Sequence, residues 1–365
     1  MNIPFFPYSK LYESHKKDFI DIFDDVCSRG AFILQKDLEE FEKNISEFVG
    51  AKHVFGVANG TDALIIGLRS CGIGEGDEVI VPSHTYIASP ASIHFVGAKP
   101  ILTELGADGM MDVKDIESRI TKKTKAIMPV HINGRTCNMD AIREIADRNN
   151  LFIVEDAAQA LGSKYKDQCA GTFGSFGTIS LYPAKLLGCF GDGGLVLTND
   201  DDIAQSVSLL RDHGRDKNGD VVSWGLNSRL DNIQAAFLNF KLKNYKKEIE
   251  IRRNLASFYH QKLSDIDELI LPIQPSDGVH FDVYQNYELQ AKDRDKLRAY
   301  LGENGIGTIV QWAGTPVHKF KKLGFDQILP KTDKFFERCM MLPMNVAVSE
   351  AEADFIVSKI RDFYA

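Results

Sequence analysis

The chain has 365 residues, of which 44% are hydrophobic, a size and composition typical of a globular protein with two domains or one large domain and a smaller partner. A formal net charge of −8 excludes a general nucleic-acid binder, because neutralising phosphates requires clustered Lys and Arg. Six scattered cysteines without a CxxC pair, no signal-peptide pattern and no apolar run of roughly 18 residues predict a cytoplasmic protein without a zinc site, disulfide framework or membrane span.

Short apolar, β-branched runs alternate with helical patterns through the first two-thirds of the chain. Seven runs are predicted as strands: HVFGVA (53–58), EVIVPS (78–83), KPILTEL (99–105), AIMPVHI (126–132), FIVEDAA (152–158), TISLYP (178–183) and GLVLTN (194–199). Segments between most of them carry apolar residues at helical spacing. This alternation predicts a mostly parallel, seven-stranded sheet covered by helices, with ligands bound at the carboxyl ends of the strands.

After about Leu230 the pattern changes to that of a smaller α+β domain. A long helical pattern over 231–263 leads to loop-rich sequence around LPIQPSDG (271–278), and two final helices end the chain. Between them lie the strand-like runs VYQNYELQA (283–291) and IGTIVQW (306–312), with a helix between the two. The last helix opens on Ser349 and Glu352, the spacing of a capping box. We therefore predict a large domain over 1–245, which includes an N-terminal arm, and a small domain over 246–365.

Three positions at predicted strand ends have side chains or backbone suited to chemistry, and each has a structural alternative. Gly60 and Thr61 lie where a strand gives way to a helix, so free amides there suit a phosphate, whereas the alternative is a plain N-cap by Thr61 or Asp62. Asp156 ends an apolar strand, where its carboxylate pairs with a protonated heterocyclic nitrogen or caps a following helix. Lys185 has apolar neighbours that favour a lowered amine pKa, or it extends to solvent.

Taken together, these positions supply different parts of one cofactor, pyridoxal 5′-phosphate. The helix N-terminus holds the phosphate, the carboxylate faces the ring nitrogen, and the lysine binds the aldehyde. Tyr86 follows another strand and is suited to stacking on the ring. Ser180 lies five residues before the lysine and can add a hydroxyl to the phosphate site. The residues alone therefore predict a pyridoxal phosphate site around Lys185.

The segments NGTDAL, GDEVIVPSHTYIAS, VEDAAQALGS, SLYPAKLLGCFGDGG and WGLNSRLDNIQAA resemble the DegT/DnrJ/EryC1/StrS family of sugar aminotransferases. The resemblance runs over nearly the whole chain. It implies an α/β, fold-type I aminotransferase that works as a homodimer with shared active sites. It also implies amino transfer from L-glutamate to a keto group on a nucleotide-linked sugar, for aminodeoxy-sugar and surface-glycan synthesis. The same site leaves open a keto-inositol aminotransferase, a sugar dehydratase or lyase, and a non-catalytic regulatory binding protein.

By this resemblance, Lys185 forms the Schiff base with the cofactor, Asp156 faces the pyridine nitrogen and Gln159 lies near the ring hydroxyl. Asn227 reaches the phosphate from the neighbouring subunit, and Arg229 helps to hold the carboxylate of the amino donor. The rest of the cofactor set is Gly60, Thr61, Tyr86 and Ser180. No metal site is expected, because His84 and His131 lack further ligands at suitable spacing.

Departures from the family pattern bear on the substrate. QWAGTPVH (311–318) retains His318 of a HYPxPxH-like motif, but Gln311 and Trp312 replace its first His and Tyr. Trp312 is suited to stacking on a base or a sugar face. His84 and Tyr182 are further candidates for the substrate side of the pocket.

A second departure is VHINGRTCNMD (130–140), which corresponds to a VHLYGxxxDMD-like segment in relatives. Asn133 and Arg135 occupy positions that often face the sugar or nucleotide, and an arginine suits a diphosphate. Loop-surface polarity is the alternative for both. The segment HTYIAS (84–89) resembles relatives that act at the 3-position, so a 3-keto sugar is favoured over a 4-keto sugar.

Overall fold

The structure, a computed structural model, describes residues 1–274 and 278–365. Its helices are α1 (Tyr8–Glu13), α2 (Lys16–Ser28), α3 (Lys36–Val49), α4 (Gly60–Ser70), α5 (Ala88–Phe95), α6 (Val113–Arg119), α7 (Met139–Asn149), α8 (Asp201–Arg211), α9 (Asn232–Leu242), α10 (Tyr245–Leu263), α11 (Arg294–Glu303), α12 (Pro330–Arg338) and α13 (Glu350–Tyr364). Its strands are β1 (His53–Val57), β2 (Glu78–Pro82), β3 (Lys99–Thr103), β4 (Thr124–Ile127), β5 (Phe152–Asp156), β6 (Lys164–Tyr165), β7 (Gln168–Cys169), β8 (Phe176–Ser180), β9 (Gly194–Thr198), β10 (Leu269–Ile270), β11 (His280–Phe281), β12 (Tyr287–Ala291) and β13 (Cys339–Leu342).

The central sheet has seven strands in the order β1-β9-β8-β5-β4-β2-β3. Strands β3, β2, β4, β5 and β8 pair in parallel, whereas β9 runs antiparallel to both β1 and β8. The predicted mostly parallel, seven-stranded sheet is therefore confirmed. β4 ends at Ile127, earlier than predicted, because Pro129 has no N–H to donate to a neighbouring strand.

The C-terminal part differs from the prediction in three places. The long helical pattern is two helices, since α9 ends at Leu242 and α10 begins at Tyr245. The run IGTIVQW makes two isolated bridges, Ile306 to Ile3 and Ile309 to Met341, and a strand that the sequence reading missed, β13, pairs with β12 instead. Of the loop predicted at LPIQPSDG, residues 275–277 lie outside the described residues.

Three apolar clusters form the interior. One lies between the central sheet and helices such as α4 and α7, and another lies under α3 and α9. The remaining cluster gathers the second half of α10, β12, β13 and α13, and Ile3 of the N-terminal arm joins it by bridging to Ile306. α10 runs from one cluster to another, with Tyr245 in the cluster under α3 and α9 and Tyr259 in the cluster that contains β12, β13 and α13. The division at 245/246 stays a prediction.

The cap of the last helix and the hydropathy of all described helices were both open to test. The predicted capping box of α13 is confirmed, because Ser349 and Glu352 bond to each other's backbone N–H groups. Within residues 1–274 and 278–365, no helix is long and apolar enough to cross a bilayer.

Two helical glycines provide a test of how tightly α4 packs on the sheet. A Cβ added at Gly67 of α4 would lie 2.2 Å from the ring of Phe176 on β8, whereas a Cβ at Gly302 of α11 would meet nothing within 4 Å. We expect Gly67→Ala to lower the free energy of unfolding by about 1–3 kcal/mol through overpacking. Gly302→Ala is the matched control and should raise it by about 0.5–1 kcal/mol. Urea denaturation measures both, and equal effects would contradict the packing described.

Candidate active site

The N-terminus of α4 lies beside the end of β8. Asn59 caps the helix by accepting a 2.8 Å hydrogen bond from the N–H of Asp62, so the predicted alternative cap by Thr61 or Asp62 is wrong. The first amides of a helix have no carbonyl one turn earlier to bond. Gly60 and Thr61 therefore present N–H groups at the positive end of the helix dipole, which suits an anion.

Glycines let the elements around this helix end approach closely. A Cβ on Gly60 would lie 3.1 Å from Cβ of Ser180, so the helix start and the serine at the end of β8 are direct neighbours. A Cβ on Gly194, the first residue of β9, would lie 2.5 Å from the carbonyl of Asn59. Because Gly194 lacks that atom, the backbone of β9 can pack directly against the start of α4. The result is a bare backbone cradle with a serine hydroxyl at its edge.

Asp156 ends β5 with its carboxylate almost completely buried. Ser89 donates from Oγ to Oδ2 at 2.7 Å, and the N–H of Ala158 donates to Oδ1 at 3.1 Å. The chain continues through turns to β6, so the alternative of a helix cap is wrong, and the carboxylate caps a turn instead. Thr85 bonds Ser89 in turn, at 2.6 Å. Sequence reasoning missed Ser89, because nothing in its local pattern shows that it lies across from Asp156.

Lys185 lies in the loop between β8 and β9, and the side chain of Gln285 holds that loop on both sides of the lysine. Gln285 accepts from the N–H of Leu186 at 2.9 Å and donates to the carbonyl of Ala184 at 2.8 Å. Lys241 adds a 2.5 Å bond from Nζ to the carbonyl of Gly188. Gln285 was not singled out from the sequence, since it lies 99 and 101 positions from the two loop residues that it bonds.

The amine of Lys185 has an altered acidity. Burial lowers its pKa to about 8, while the carboxylate of Asp156 opposes the shift. In the part of the chain that the structure describes, Nζ has no hydrogen-bond or ion-pair partner. The lysine lines a small cavity together with Ser180 and Gln159. A partly neutral, unpaired amine next to a carboxylate is suited to bind an aldehyde and to move protons.

The two tyrosines predicted near the cofactor and substrate are both exposed. Tyr86 is 56% exposed, and its carbonyl accepts from the N–H of Ser89 at 3.2 Å, so it stands beside the residue that holds Asp156. Tyr182 is 52% exposed, and its carbonyl accepts from the N–H of Lys185 at 2.8 Å. Tyr182 also lies near Tyr8, whose phenol pKa is raised by burial and by the charge of Tyr182. Both rings are free to contact a ligand.

Asn227 is exposed and is tied to Arg229. One guanidinium nitrogen of Arg229 donates to Oδ1 of Asn227 at 2.6 Å, and another pairs with Asp212 at 2.6 Å. Although burial opposes it, hydrogen bonds from Arg215 and Arg229 hold the pKa of Asp212 below its usual value. The amide oxygen of Asn227 is therefore held by an arginine that is itself anchored on Asp212, and three residues earlier in the chain Trp224 is 96% exposed.

Of the predicted substrate residues, Arg135 and His318 are engaged with other protein groups. Arg135 is buried and pairs with Asp282 at 2.6 Å, and it also bonds His280 at 2.9 Å. His318 is buried between Ser83, at 2.7 Å, and Asp333, at 2.8 Å, and burial lowers its pKa. The structure therefore gives both side chains a bridging role between segments that are distant in sequence.

His84 and Trp312 lie together at the contact between the central sheet and the C-terminal part of the chain. Their ring centroids are 5.5 Å apart, and Trp312 also packs near Phe336. His84 is buried, with Nδ1 bonded to the carbonyl of Gly109 at 2.9 Å and Nε2 at 3.4 Å from Glu288. Within the described ranges, no cluster of three or more His, Cys, Asp or Glu side chains is placed to hold a metal ion.

The fold and this lysine site define a fold-type I aminotransferase. Residues 13–361 match the DegT/DnrJ/EryC1/StrS aminotransferase family, and the chain belongs to that family. A curated relative, the pleiotropic regulatory protein of Geobacillus stearothermophilus, is 37% identical over 100% of this chain and 99% of its own. The dTDP-3-amino-3,4,6-trideoxy-alpha-D-glucose transaminase of Streptomyces venezuelae is 36% identical over 99% of this chain and 96% of its own.

Solved structures agree with this placement. The crystal structure of S. venezuelae DesV in complex with a ketimine intermediate superposes with a TM-score of 0.95 at 36% identity, over 100% of this chain and 98% of that one. Other solved relatives hold pyridoxamine or pyridoxal phosphate. The predicted family, aminotransferase fold and pyridoxal phosphate cofactor are confirmed.

The residues present fit that cofactor. The cradle of Gly60, Thr61 and Ser180 offers backbone N–H groups and a hydroxyl to a phosphate. The cavity beside it contains the unpaired amine of Lys185, and the buried carboxylate of Asp156 lies near enough to influence that amine. An anion site, an amine and a carboxylate are the three groups that a pyridoxal phosphate requires.

The lowered pKa of Lys185 predicts how fast the protein without cofactor captures added pyridoxal phosphate. Only the neutral amine attacks an aldehyde, so the rate should rise about tenfold per pH unit below pH 8 and level off above it. Asp156→Asn removes the charge that raises this pKa, so its plateau should begin at a lower pH. Stopped-flow absorbance measures the rate, with Lys185→Ala as the baseline. A rate still rising steeply at pH 10 in the native protein would contradict the lowered pKa.

Proposed function

We propose that this protein transfers the amino group of L-glutamate to the keto group of a nucleotide-linked sugar. The observation that carries the proposal is the unpaired, low-pKa amine of Lys185 beside the buried carboxylate of Asp156. Family membership supplies the reaction class. The product would be an aminodeoxy sugar of the kind used in surface glycans.

Bound pyridoxal phosphate supplies an electron sink for the pair released when an amino acid Cα loses its proton. The chain's residues provide the rest. Gly60, Thr61 and Ser180 would hold the phosphate, and the buried carboxylate of Asp156 would keep the ring nitrogen protonated. Ser89 and the amide of Ala158 hold the carboxylate in place, so it does not need to reorganise during the reaction.

Lys185 acts as the general base and acid in both half-reactions. Its amine, with a pKa lowered to about 8, is neutral in roughly one molecule in ten at pH 7, a far larger share than the ordinary lysine pKa would allow. It can therefore take the proton from Cα of the amino donor and deliver a proton to the carbon of the cofactor that carried the aldehyde. Gln285 limits the motion of the loop on either side, which keeps the amine within reach of that proton.

A 3-keto sugar is the favoured acceptor. The HTYIAS segment supports this choice. The name of the Streptomyces relative supports it as well, because the dTDP-linked sugar in that name has its amino group at position 3. Tyr86 and Tyr182 are both exposed, and we assign Tyr86 to the cofactor face and Tyr182 to the sugar.

A homodimer with shared sites fits the exposed segment around Trp224. Val221, Val222 and Trp224 are all exposed, a patch that a second copy would cover. Asn227 comes three residues after Trp224 and is also exposed, and Arg229 donates to its amide oxygen. We propose that Asn227 reaches the phosphate site of the partner subunit.

The reaction is tested with the purified, cofactor-loaded protein. Glutamate alone should convert the visible absorbance of bound pyridoxal phosphate to the shorter-wavelength absorbance of its amino form and release 2-oxoglutarate. A panel of 3-keto and 4-keto sugars on dTDP, UDP and GDP then tests the acceptor, and recovery of the original absorbance reports turnover. Lys185→Ala should show no conversion. Turnover of a sugar without consumption of glutamate would instead indicate a dehydratase.

Mixed dimers test whether the sites are shared. Lys185→Ala removes the base, and Asn227→Asp puts a negative charge where a phosphate is expected, so each variant alone should be almost inactive. If Asn227 serves the partner's site, random mixing of the two should restore about one quarter of native activity, because half of the dimers then contain one native site. No recovery after subunit exchange, confirmed by native mass spectrometry, would contradict shared sites.

The Geobacillus relative's name favours a second candidate, a regulatory protein. Pure regulation has no use for the buried Asp156 or the low-pKa Lys185. Two measurements distinguish the candidates. A regulator would retain its effect in cells when Lys185 is replaced by Ala, and glutamate would not change the absorbance of its bound cofactor.

A further inference from the structure

Asn133, which is itself half-buried, is the centre of a polar network with three buried partners. Its side-chain oxygen accepts from Asn286 at 2.9 Å and from Gln311 at 2.8 Å, and its amide nitrogen donates to Glu288 at 2.7 Å. Gln311 also donates to the same carboxylate oxygen of Glu288, at 3.0 Å. Both lone pairs of the Asn133 oxygen are therefore used, and its side chain cannot rotate without breaking several bonds.

The network connects segments that are far apart in sequence. Asn133 follows β4, Asn286 and Glu288 lie at the start of β12, and Gln311 comes from the segment after α11. The three partners are each more than 90% buried. Breaking one hydrogen bond in such a place leaves a buried polar atom unsatisfied, which is costly.

The network also holds an unusual backbone conformation. Asn133 has a φ of 58°, in the left-handed region that Asn tolerates better than most residues. In this conformation its backbone N–H donates to Oε1 of Gln159 at 2.7 Å. Since a backbone N–H needs an acceptor, this bond fixes the oxygen of the Gln159 amide toward Asn133 and its NH₂ group away from it, and in the described part of the chain that NH₂ group has no acceptor. Gln159 lines the cavity that contains Lys185 and Ser180.

We propose that Asn133 is a positioning residue that sets which end of the Gln159 amide faces the cofactor. The inference rests on the proposed function, since it needs pyridoxal phosphate in the Lys185 cavity. With its oxygen held by Asn133, Gln159 presents N–H donors to an anionic oxygen of the bound ring. Such a donor stabilises the negative charge on that oxygen. The oxygen then attracts less strongly the proton on the nearby nitrogen, which is the atom that would link the cofactor to Lys185. The pKa of that nitrogen is thereby lowered, which brings it nearer to working pH.

A pH titration of the visible absorbance of bound pyridoxal phosphate reads this effect directly. Asn133→Asp retains the size and the left-handed tolerance of the residue but sets a carboxylate oxygen against Glu288. We expect this repulsion to release the backbone N–H from Gln159, so that the apparent pKa of the absorbance change rises by about one unit. The control is Asn150→Asp, an exposed asparagine at a φ of 51° in the cap of α7, which should titrate like the native protein.

Two further variants separate positioning from general damage. Adding Glu288→Gln to Asn133→Asp lets the new amide donate to the new carboxylate, and the native titration should return. Asn133→Asp in a Gln159→Ala background should shift the pKa no further than Gln159→Ala alone, because Asn133 acts through Gln159. An additive shift, or an unchanged pKa in cofactor-loaded Asn133→Asp, would overturn the inference and leave the proposed function intact. Failure of the native protein to capture pyridoxal phosphate would instead overturn the proposed function.

Discussion

The site depends on keeping one amine out of water without giving it a permanent partner. The amine of Lys185 loses hydration in the loop between β8 and β9, and the carboxylate of Asp156 returns only part of that lost stabilisation. A closer ion pair would fix the amine in its charged form, and full exposure would restore its ordinary pKa. The observed balance leaves an amine that can exist in both protonation states near neutral pH.

Much of the surrounding architecture serves to hold the two groups in this relation. Asp156 is fixed by Ser89 and by a turn amide, and Gln285 clamps the backbone on both sides of Lys185. These supports come from α5 and from the segment before β12, so both halves of the chain contribute to one site. Arg252 strengthens the connection, because its buried guanidinium binds the carbonyls of Gln285 and Met344.

Close backbone approach matters as much as side chains. Gly60 and Gly194 let a helix end, a strand end and Ser180 meet with no side chain between them. A phosphate needs several N–H donors at one point, and a bare helix N-terminus provides them without using any charged residue. In the proposed site, backbone N–H groups would therefore meet the charge of the phosphate, and the charged side chains of Asp156 and Lys185 would be left for the ring and the aldehyde.

The sequence by itself determined the sheet and supplied the main candidate residues of the site, because short apolar runs, glycines at strand ends and a lysine among apolar neighbours are local patterns. Lys185, Asp156, Gly60 and Ser180 could all be found in this way. Tertiary structure alone decided the roles of Ser89 and Gln285, and it tied up Arg135 and His318 in contacts with Asp282 and Asp333. Those roles depend on hydrogen bonds between residues tens to hundreds of positions apart, and no pattern within a short segment encodes such a distance.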